Sequence, residues 1–231
     1  MDDEEIRRSA ALERRHWWYA GRRALVRRLM RGVAAGRALD VGPGSGGNAS
    51  VLRDLGWEVT AVEMNATAAE LTAQRGLAVA RGDARHLPVR DESVDLVIST
   101  DVWEHIEEDD EVAAESFRVL RPGGRLLVAV PAGRALWSGH DLALGHVRRY
   151  ERPDLVGLVT AAGFVIHDVR SWNVLLRPIA RVRRSHNTGE SEMSHVPEPI
   201  NTGLRASVAL EALLPVQSLP GLSLVVRAWR P

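Results

Sequence analysis

Cysteine and lysine are both absent from this chain of 231 residues. The lack of cysteine excludes a disulfide scaffold, a thiolate metal site and a cysteine nucleophile. Because lysine is missing, all 30 basic residues are arginines, and a single arginine is weak evidence for bidentate binding. The 30 acidic residues balance them to a net charge of zero. The positive excess of a nucleic-acid-binding protein is therefore missing, and we expect no nucleic-acid partner.

Long apolar runs are missing as well. No segment approaches the roughly 18 apolar residues of a membrane-spanning helix, so we expect no membrane span. The N-terminal sequence MDDEEIRRSA is acidic and polar, unlike a secretory signal, which makes the cytoplasm the expected compartment. Phenylalanine and tyrosine are scarce, with two of each against seven tryptophans. We expect several of these tryptophans to line a pocket.

Residues 38–48, ALDVGPGSGGN, are the stretch around which the rest of the chain is organised. An apolar run ends in Asp40 and passes into a turn with glycines at 42, 44, 46 and 47. A strand, a glycine turn and a helix bring backbone N–H groups and a helix N-terminus against a ligand. The glycines satisfy G-x-G-x-x-G, the dinucleotide pattern. With Asp40 they equally satisfy D-x-G-x-G-x-G, the pattern of S-adenosylmethionine enzymes, and the turn alone does not decide.

Acidic residues follow the next two predicted strands. The β-rich run 57–63 ends in Glu63, about 20 residues beyond the glycines, where a carboxylate can accept both ribose hydroxyls. Asp83 follows the third predicted strand, where an acid can accept a hydrogen bond from an adenine amino group. The nearly continuous apolar run 94–99 predicts a parallel strand that is buried on both faces. Polar residues come directly after it, where ligands of such sheets bind.

Five segments together carry a resemblance: ALDVGPGSGG, VTAVE, RGDARHLP, VDLVISTDVWEH and RVLRPGGRLLVAVP. They resemble the class I S-adenosylmethionine-dependent methyltransferases, in the small-molecule subgroup called type 11, over about residues 37–172. The resemblance implies a Rossmann-like α/β fold, with a doubly wound, mostly parallel sheet of seven strands and helices on both faces. It also implies S-adenosyl-L-methionine as the cofactor. By position, Asp40, Gly42, Gly44 and Gly46 should surround its methionine part, Glu63 its ribose, and Asp83 and Ala84 its adenine, while Thr100 should line the cleft floor.

One domain with four parts is expected. These are an N-terminal helical cap (1–36), the core (37–172), an insertion that caps the substrate cleft (173–220) and a last, antiparallel strand (221–231). In the first cap, the aromatic residues 16–19 form either a contact between helices or a lid, from which Tyr19 or Arg23 reaches the polar end of the cofactor. In the insertion, residues 185–199 lack apolar periodicity and are predicted to be mobile. A helix is predicted over 204–214.

Methyl transfer from a sulfonium to a hydroxyl or an ammonium requires the removal of a proton. Histidines 105, 140 and 146 are the candidate bases, and we single out His105 and His140 with Asp101 as catalytic residues. The run Asp101-x-x-Glu104-His105 also resembles the E-x-x-E-H metal motif of ubiquinone-pathway O-methyltransferases and of a small-RNA 2′-O-methyltransferase. There a metal orients the acceptor, and here His140 or His146 would have to be the fourth ligand. We expect a base and no metal.

The predicted function is methyl transfer from S-adenosylmethionine to an O or N atom of a small molecule, such as an intermediate of natural-product biosynthesis. The expected partner is this small-molecule acceptor, and a homodimer is the assembly considered. One alternative is a non-catalytic module that binds S-adenosylmethionine. A weaker alternative is an NAD-dependent oxidoreductase, which leaves Asp83 and the Pro-Gly-Gly turn at 122–124, before the predicted strand 125–130, unexplained.

Overall fold

A seven-stranded sheet forms the centre of the protein, whose computed structural model describes residues 3–184 and 196–231. Its strands are β1 (Arg37–Val41), β2 (Glu58–Glu63), β3 (Ala78–Arg81), β4 (Val94–Thr100), β5 (Leu120–Pro131), β6 (Val165–Trp172) and β7 (Ser223–Trp229). They lie in the order β3-β2-β1-β4-β5-β7-β6. Only β7 is antiparallel to its neighbours, β5 and β6. The predicted Rossmann-like, mostly parallel sheet is therefore confirmed.

Helices cover both faces of this sheet. They are α1 (Asp3–Glu13), α2 (Trp17–Met30), α3 (Gly47–Asp54), α4 (Ala66–Ala73), α5 (Asp109–Val119), α6 (Gly139–Leu144), α7 (Arg152–Ala161), α8 (Arg177–Arg184) and α9 (Glu198–Glu211). None of the helices in the described ranges is long and apolar enough to cross a membrane.

The two faces of the sheet carry separate apolar cores because side chains alternate along each strand. In β4, Val97 points to the core that contains residues of α5 and α7. Its neighbours Leu96 and Ile98 point to the other core, with residues of α2 and α3. All three side chains are fully buried. This explains why β4 reads as an almost continuous apolar run.

The insertion differs from its prediction at helix α9. This helix begins at Glu198, six residues before the predicted start, and residues 198 and 199 therefore belong to a helix rather than to a mobile stretch. The first turn contains a proline, which is tolerated there because that turn has no intrahelical partner for its N–H groups. Residues 185–195, which carry most of the predicted mobile stretch, lie outside the described residues.

Helix α9 is joined to the start of α2. The side chain of Asn201 accepts a hydrogen bond from the backbone N–H of Trp17 at 2.8 Å and donates to the carbonyl of Arg15 at 2.9 Å. Asn201 itself is buried. The N-terminal cap and the later helix thus pack together, and α2 lies between α9 and the glycine turn.

Candidate functional site

A cavity of about 220 Å³ lies beyond the carboxyl ends of β1 and β4. The glycine turn contributes Gly42 and Gly44, and the end of β4 contributes Thr100 and Asp101. Helices α1 and α2 cover one side, and the segment around α6 closes the other. This is the position at which ligands of doubly wound sheets bind.

The glycine turn presents bare backbone to this cavity. Gly42 and Gly44 have φ values of +68° and +59°, which side chains rarely adopt. A Cβ at Gly42 would collide with the side chain of Val102, so close packing requires glycine there. At Gly44 a Cβ would meet no atom within 4 Å. Gly44 therefore faces open space, in which a ligand can approach the backbone.

Asp40 lies behind the turn and has an unsatisfied oxygen. The residue is 1% exposed, and its Oδ2 has no hydrogen-bond partner among the described residues. Burial raises the pKa of Asp40 to about 7, and the charge of Glu63 acts in the same direction. The carboxylate is thus poised to ionise when a cationic group approaches.

The residues assigned to the nucleoside do not line this cavity. Glu63 accepts hydrogen bonds from the backbone N–H groups of Gly44 at 3.2 Å and of Asn65 at 2.9 Å. Asp83 is paired with Arg85 at 2.7 Å. Ala84 is buried within the core that contains α5. A ribose would have to replace the present hydrogen bonds of Glu63, and an adenine the ion pair of Asp83. The assignments of Glu63, Asp83 and Ala84 therefore stay predictions.

Glu13 reaches the glycine turn from the end of α1, and no sequence pattern indicates this contact. Its carboxylate accepts a hydrogen bond from the Ser45 hydroxyl at 2.8 Å and forms an ion pair with Arg75. It lies so close to Gly47, the first residue of α3, that a Cβ there would collide with it. A carboxylate at this helix N-terminus is electrostatically favourable.

Helix α2 brings Tyr19, Arg22 and Arg23 to the cavity. Arg22, which the sequence did not single out, is the one that binds Asp101, at 2.8 Å. Its guanidinium also lies over the ring of Trp172, 4.5 Å from the centroid. Arg23 donates instead to the carbonyl of Glu13 at 2.9 Å.

Three histidines lie around the far side of the cavity, and one of them is bound to an acid. Nδ1 of His146 is 2.9 Å from Oδ1 of the fully buried Asp141. Asp141 also accepts from Nε of Arg149 at 2.8 Å and from the backbone N–H of Ser138 at 3.0 Å. Nδ1 of His105 faces only a carbonyl, that of Gly145, at 3.1 Å.

The two histidines that the sequence singled out are weak bases here. Burial lowers the pKa of His105 to about 4, and the charge of His146 acts in the same direction. Burial lowers the pKa of His140 to about 3, with a further contribution from Arg184. Both histidines do line the cavity.

Glu104 completes this cluster. It is 1% exposed, and neither of its carboxylate oxygens has a hydrogen-bond partner among the described residues. Burial, with the charge of Asp101, raises the pKa of Glu104 well above its usual range. Ligand atoms of Glu104, His105 and His146 lie within 4.8 Å of one another. They could hold a divalent ion, whereas Asp101, bound to Arg22, is not part of this set.

Comparison with known proteins gives the family. Residues 39–128 match the model of a methyltransferase domain. A probable S-adenosylmethionine-dependent methyltransferase of Mycolicibacterium smegmatis is 31% identical over 161 residues, which cover 68% of this chain and 63% of the relative. The chain belongs to the class I S-adenosylmethionine-dependent methyltransferases. A similarly named protein of Mycobacterium tuberculosis is 29% identical over 158 residues, or 67% of this chain and 58% of that protein. The chain thus spans about three fifths of these relatives.

Solved structures show the same fold. An S-adenosylmethionine-dependent methyltransferase from Thermotoga maritima, described as a possible histamine N-methyltransferase, aligns with a TM-score of 0.66 at 19% identity. The alignment covers 99% of this chain and 96% of the other. A phosphoethanolamine N-methyltransferase of Haemonchus contortus, solved with S-adenosylmethionine, aligns with a TM-score of 0.61 at 19% identity, over 88% of this chain and 51% of that one.

The cofactor of the family is S-adenosylmethionine, which decides between the two ligands that the glycine pattern allowed. The residues of this chain fit it. Gly44 leaves backbone open to a ligand, and the orphaned oxygen of Asp40 suits a cationic group. The volume of 220 Å³ is below the roughly 300–1,000 Å³ of typical ligand sites. The cavity is thus small for a whole cofactor, and the assigned contacts remain predictions.

Proposed function

We propose that this chain transfers the methyl group of S-adenosylmethionine to an O or N atom of a small molecule, and that His146 takes up the acceptor's proton. The observation that carries this proposal is the Asp141–His146 pair, since His146 lines the same cavity as Gly44 of the glycine turn. The cofactor supplies an electrophilic methyl group on its sulfonium. The chain has to orient the acceptor and remove its proton.

The hydrogen bond to Asp141 fixes the orientation and the tautomer of His146. A carboxylate accepts only, so Nδ1 carries the proton and Nε2 keeps its lone pair. Nε2 is 3.9 Å from Oε1 of Glu104, beyond hydrogen-bond distance, and is available to an acceptor. When Nε2 takes a proton, the buried carboxylate of Asp141 stabilises the imidazolium.

The fixed position of Asp141 supports this role. Its two other hydrogen bonds, from Arg149 and Ser138, hold the carboxylate in place before the acceptor arrives. The two neighbouring histidines are less suitable as bases. His105 is oriented by a neutral carbonyl, and both His105 and His140 have strongly lowered pKa values. We therefore assign the role of general base to His146 and not to His105 or His140.

The acceptor is a small molecule, and a biosynthetic intermediate fits best. The lining combines apolar surface from Trp18, Leu144 and Leu222 with the polar groups already described. A partly apolar compound with one nucleophilic oxygen or nitrogen would satisfy both kinds of surface.

Cofactor binding is tested by calorimetry with S-adenosylmethionine, its demethylated product and NAD. We expect micromolar affinity for the first two and none for NAD. Gly44→Asp should abolish binding, because a carboxylate would fill the space open to the ligand. Gly123→Asp is the matched control, since Gly123 also has a positive φ, of +76°, with nothing within 4 Å. Equal affinity in the folded Gly44→Asp variant would remove the turn from the site.

Catalysis is tested by following methyl transfer over a panel of hydroxylated and amino-bearing small molecules. Formation of the demethylated cofactor only when an acceptor is present identifies an enzyme. Tight cofactor binding without transfer to any member of a broad panel would favour the alternative of a non-catalytic binding module.

A further inference from the structure

A second cavity, of about 480 Å³, lies against another side of α2. Residues of α2 and α9 form two of its walls, and residues of β6 and β7 contribute the third. Its volume falls in the range of roughly 300–1,000 Å³ that is typical of small-molecule sites. It is larger than the cavity at the glycine turn, and nothing in the proposed methyl transfer uses it.

The floor of this second cavity is apolar. Leu25 and Leu29 of α2, Val208 of α9 and Val225 of β7 line it and are all buried. At Gly21, an added Cβ would come within 3.1 Å of both Trp172 and Val208, so the helix backbone packs tightly at that point.

The remainder of the lining is strongly basic. Among the described residues, the lining contains one acid, Glu211, whose carboxylate accepts a hydrogen bond from the backbone N–H of Leu175 at 3.1 Å. In a chain of zero net charge, this is a local excess of positive charge. The basic residues of the lining are five arginines: Arg14, Arg23, Arg28, Arg170 and Arg205.

Most of these guanidinium groups lack an acidic partner in the described part of the chain. Arg28 donates to the carbonyl of Ala212 at 2.9 Å, and Arg205 to that of Arg15 at 2.5 Å. Arg23 likewise donates to a carbonyl. Arg170 is the member with an ion pair, to Asp168. A carbonyl satisfies one N–H of a guanidinium but leaves its charge uncompensated.

The pKa values of two of these arginines also indicate positive charge in a partly desolvated environment. Burial lowers the pKa of Arg28, and the positive charge of Arg170 acts in the same direction, while the charge of Glu211 opposes them. Burial also lowers the pKa of Arg23; the charge of Glu13 opposes this, and the charges of Arg75 and Arg205 act with burial. The cavity thus holds partly desolvated positive charges that repel one another, and an anion would relieve the repulsion.

We propose that this cavity binds an amphiphilic organic anion, whose phosphate or carboxylate group contacts the arginines while its aliphatic body covers the apolar floor. Guanidinium groups bind both kinds of head group through paired, charge-assisted hydrogen bonds. The aliphatic body would itself leave water against this apolar floor, and the burial of its own surface adds to the binding free energy. The proposed ligand therefore has two parts. Inorganic phosphate lacks the aliphatic body, and a neutral alcohol lacks the charge.

The site is separate from the methyl-transfer site but shares one lining residue with it. Arg23 lines both cavities. Trp172 lines the second cavity and packs against Arg22, which holds Asp101 in the first. The proposal does not depend on methyl transfer, and its binding test can succeed or fail independently of it.

The test is calorimetric titration of the full chain with octyl phosphate and with octanoate. Octanol and inorganic phosphate serve as probes that lack the charge or the body. We expect the two octyl anions to bind at least about tenfold more tightly than either incomplete probe. The ratio between octyl phosphate and octanoate identifies the preferred head group. Failure of both anions to bind, or equal binding of octanol, would overturn the proposal.

Substitutions in the lining test whether the octyl anions bind in this cavity. The double variant Arg28→Gln, Arg205→Gln should weaken octyl anions by about tenfold or more, because it removes two charges from the site. Arg27→Gln is the matched control, since Arg27 is the adjacent exposed arginine of α2, lies 3.5 Å from Asp54 and does not line the cavity. Ala24→Trp, at an exposed lining position, should block the body without changing the charge. Unchanged affinity in both cavity variants, or equal loss in Arg27→Gln, would place the anion elsewhere and refute the assignment.

Discussion

Two replacements of His146 distinguish the roles of its two ring nitrogens. His146→Asn keeps an N–H donor near the position of Nδ1, which faces Asp141 at 2.9 Å, and removes the lone pair of Nε2. His146→Gln places its amide nearer the position of Nε2 and gives up the bond to Asp141. In neither variant can the side chain accept a proton at neutral pH. Removal of a general base typically costs about 10²–10⁴-fold in rate, or about 3–5 kcal/mol in activation free energy.

The assay measures initial rates of formation of the demethylated cofactor, with cofactor affinity determined separately by calorimetry. We expect His146→Asn to lose activity while its cofactor affinity and its fold stay close to those of the parent chain, because the bond to the buried Asp141 is kept. His105→Asn is the matched control. Its ring centroid is 4.8 Å from that of His146, but it faces a carbonyl instead of a carboxylate. Its activity should fall by less than about tenfold, since His105 is not the group that takes up the acceptor's proton.

Full activity in both His146 variants would refute this reasoning and would mean that positioning alone supports the transfer. An equal loss in His105→Asn would also contradict it, because the assignment depends on the bond between His146 and Asp141. A loss confined to His105 or His140 would restore the bases that the sequence singled out.

Three further predictions concern the metal, the buried acid and the ribose contact. Chelator should leave the rate unchanged, whereas loss restored by magnesium or zinc would make the cluster around Glu104 a metal site. Asp40 has a folded pKa of about 7 against an ordinary 3.8, so the folded state binds the extra proton, and unfolding free energy should fall as pH rises from about 4 to about 7. Asp40→Asn should remove this total change of about 4 kcal/mol, measured by urea unfolding at several pH values. Glu63→Ala should weaken cofactor binding by roughly 2–3 kcal/mol in calorimetry, and the exposed Glu70→Ala should not.

The sheet could be predicted because its signals are local. The buried run of β4, the glycine turn after β1 and the acid at the end of β2 each lie within a few consecutive residues. The start of α9 was missed because a proline-bearing polar stretch reads as a loop, although proline is compatible with a first helical turn. Gly44, Thr100 and Tyr19 were placed at the cavity for the same local reason, since each lies beside a recognisable motif.

Most side-chain contacts of the site could not be predicted because the partners are distant in sequence. Arg22 and Asp101 are 79 positions apart, and Glu13 and Ser45 are 32 apart. In a chain with 30 arginines, no local pattern distinguishes Arg22 from Arg23. Asp141 does lie close to His146 in sequence, but only the fold shows that it is buried and bound to it.

The charges around the glycine turn give a physical reason for the cofactor that family membership assigns. In dinucleotide-binding folds, a pyrophosphate occupies the helix N-terminus after this turn. Here the carboxylate of Glu13 lies at that helix N-terminus, against Gly47. The charges of Glu63 and Glu13 both act on the buried Asp40, so three carboxylates surround the turn. The pKa of Asp40 is raised to about 7 and Glu13 is paired with Arg75, so the repulsion of a pyrophosphate comes from the part of this charge that is ionised and uncompensated. A sulfonium with a neighbouring ammonium would instead favour the ionised form of all three acids. The glycine pattern is therefore shared between the two ligand classes, and the acids around it decide between them.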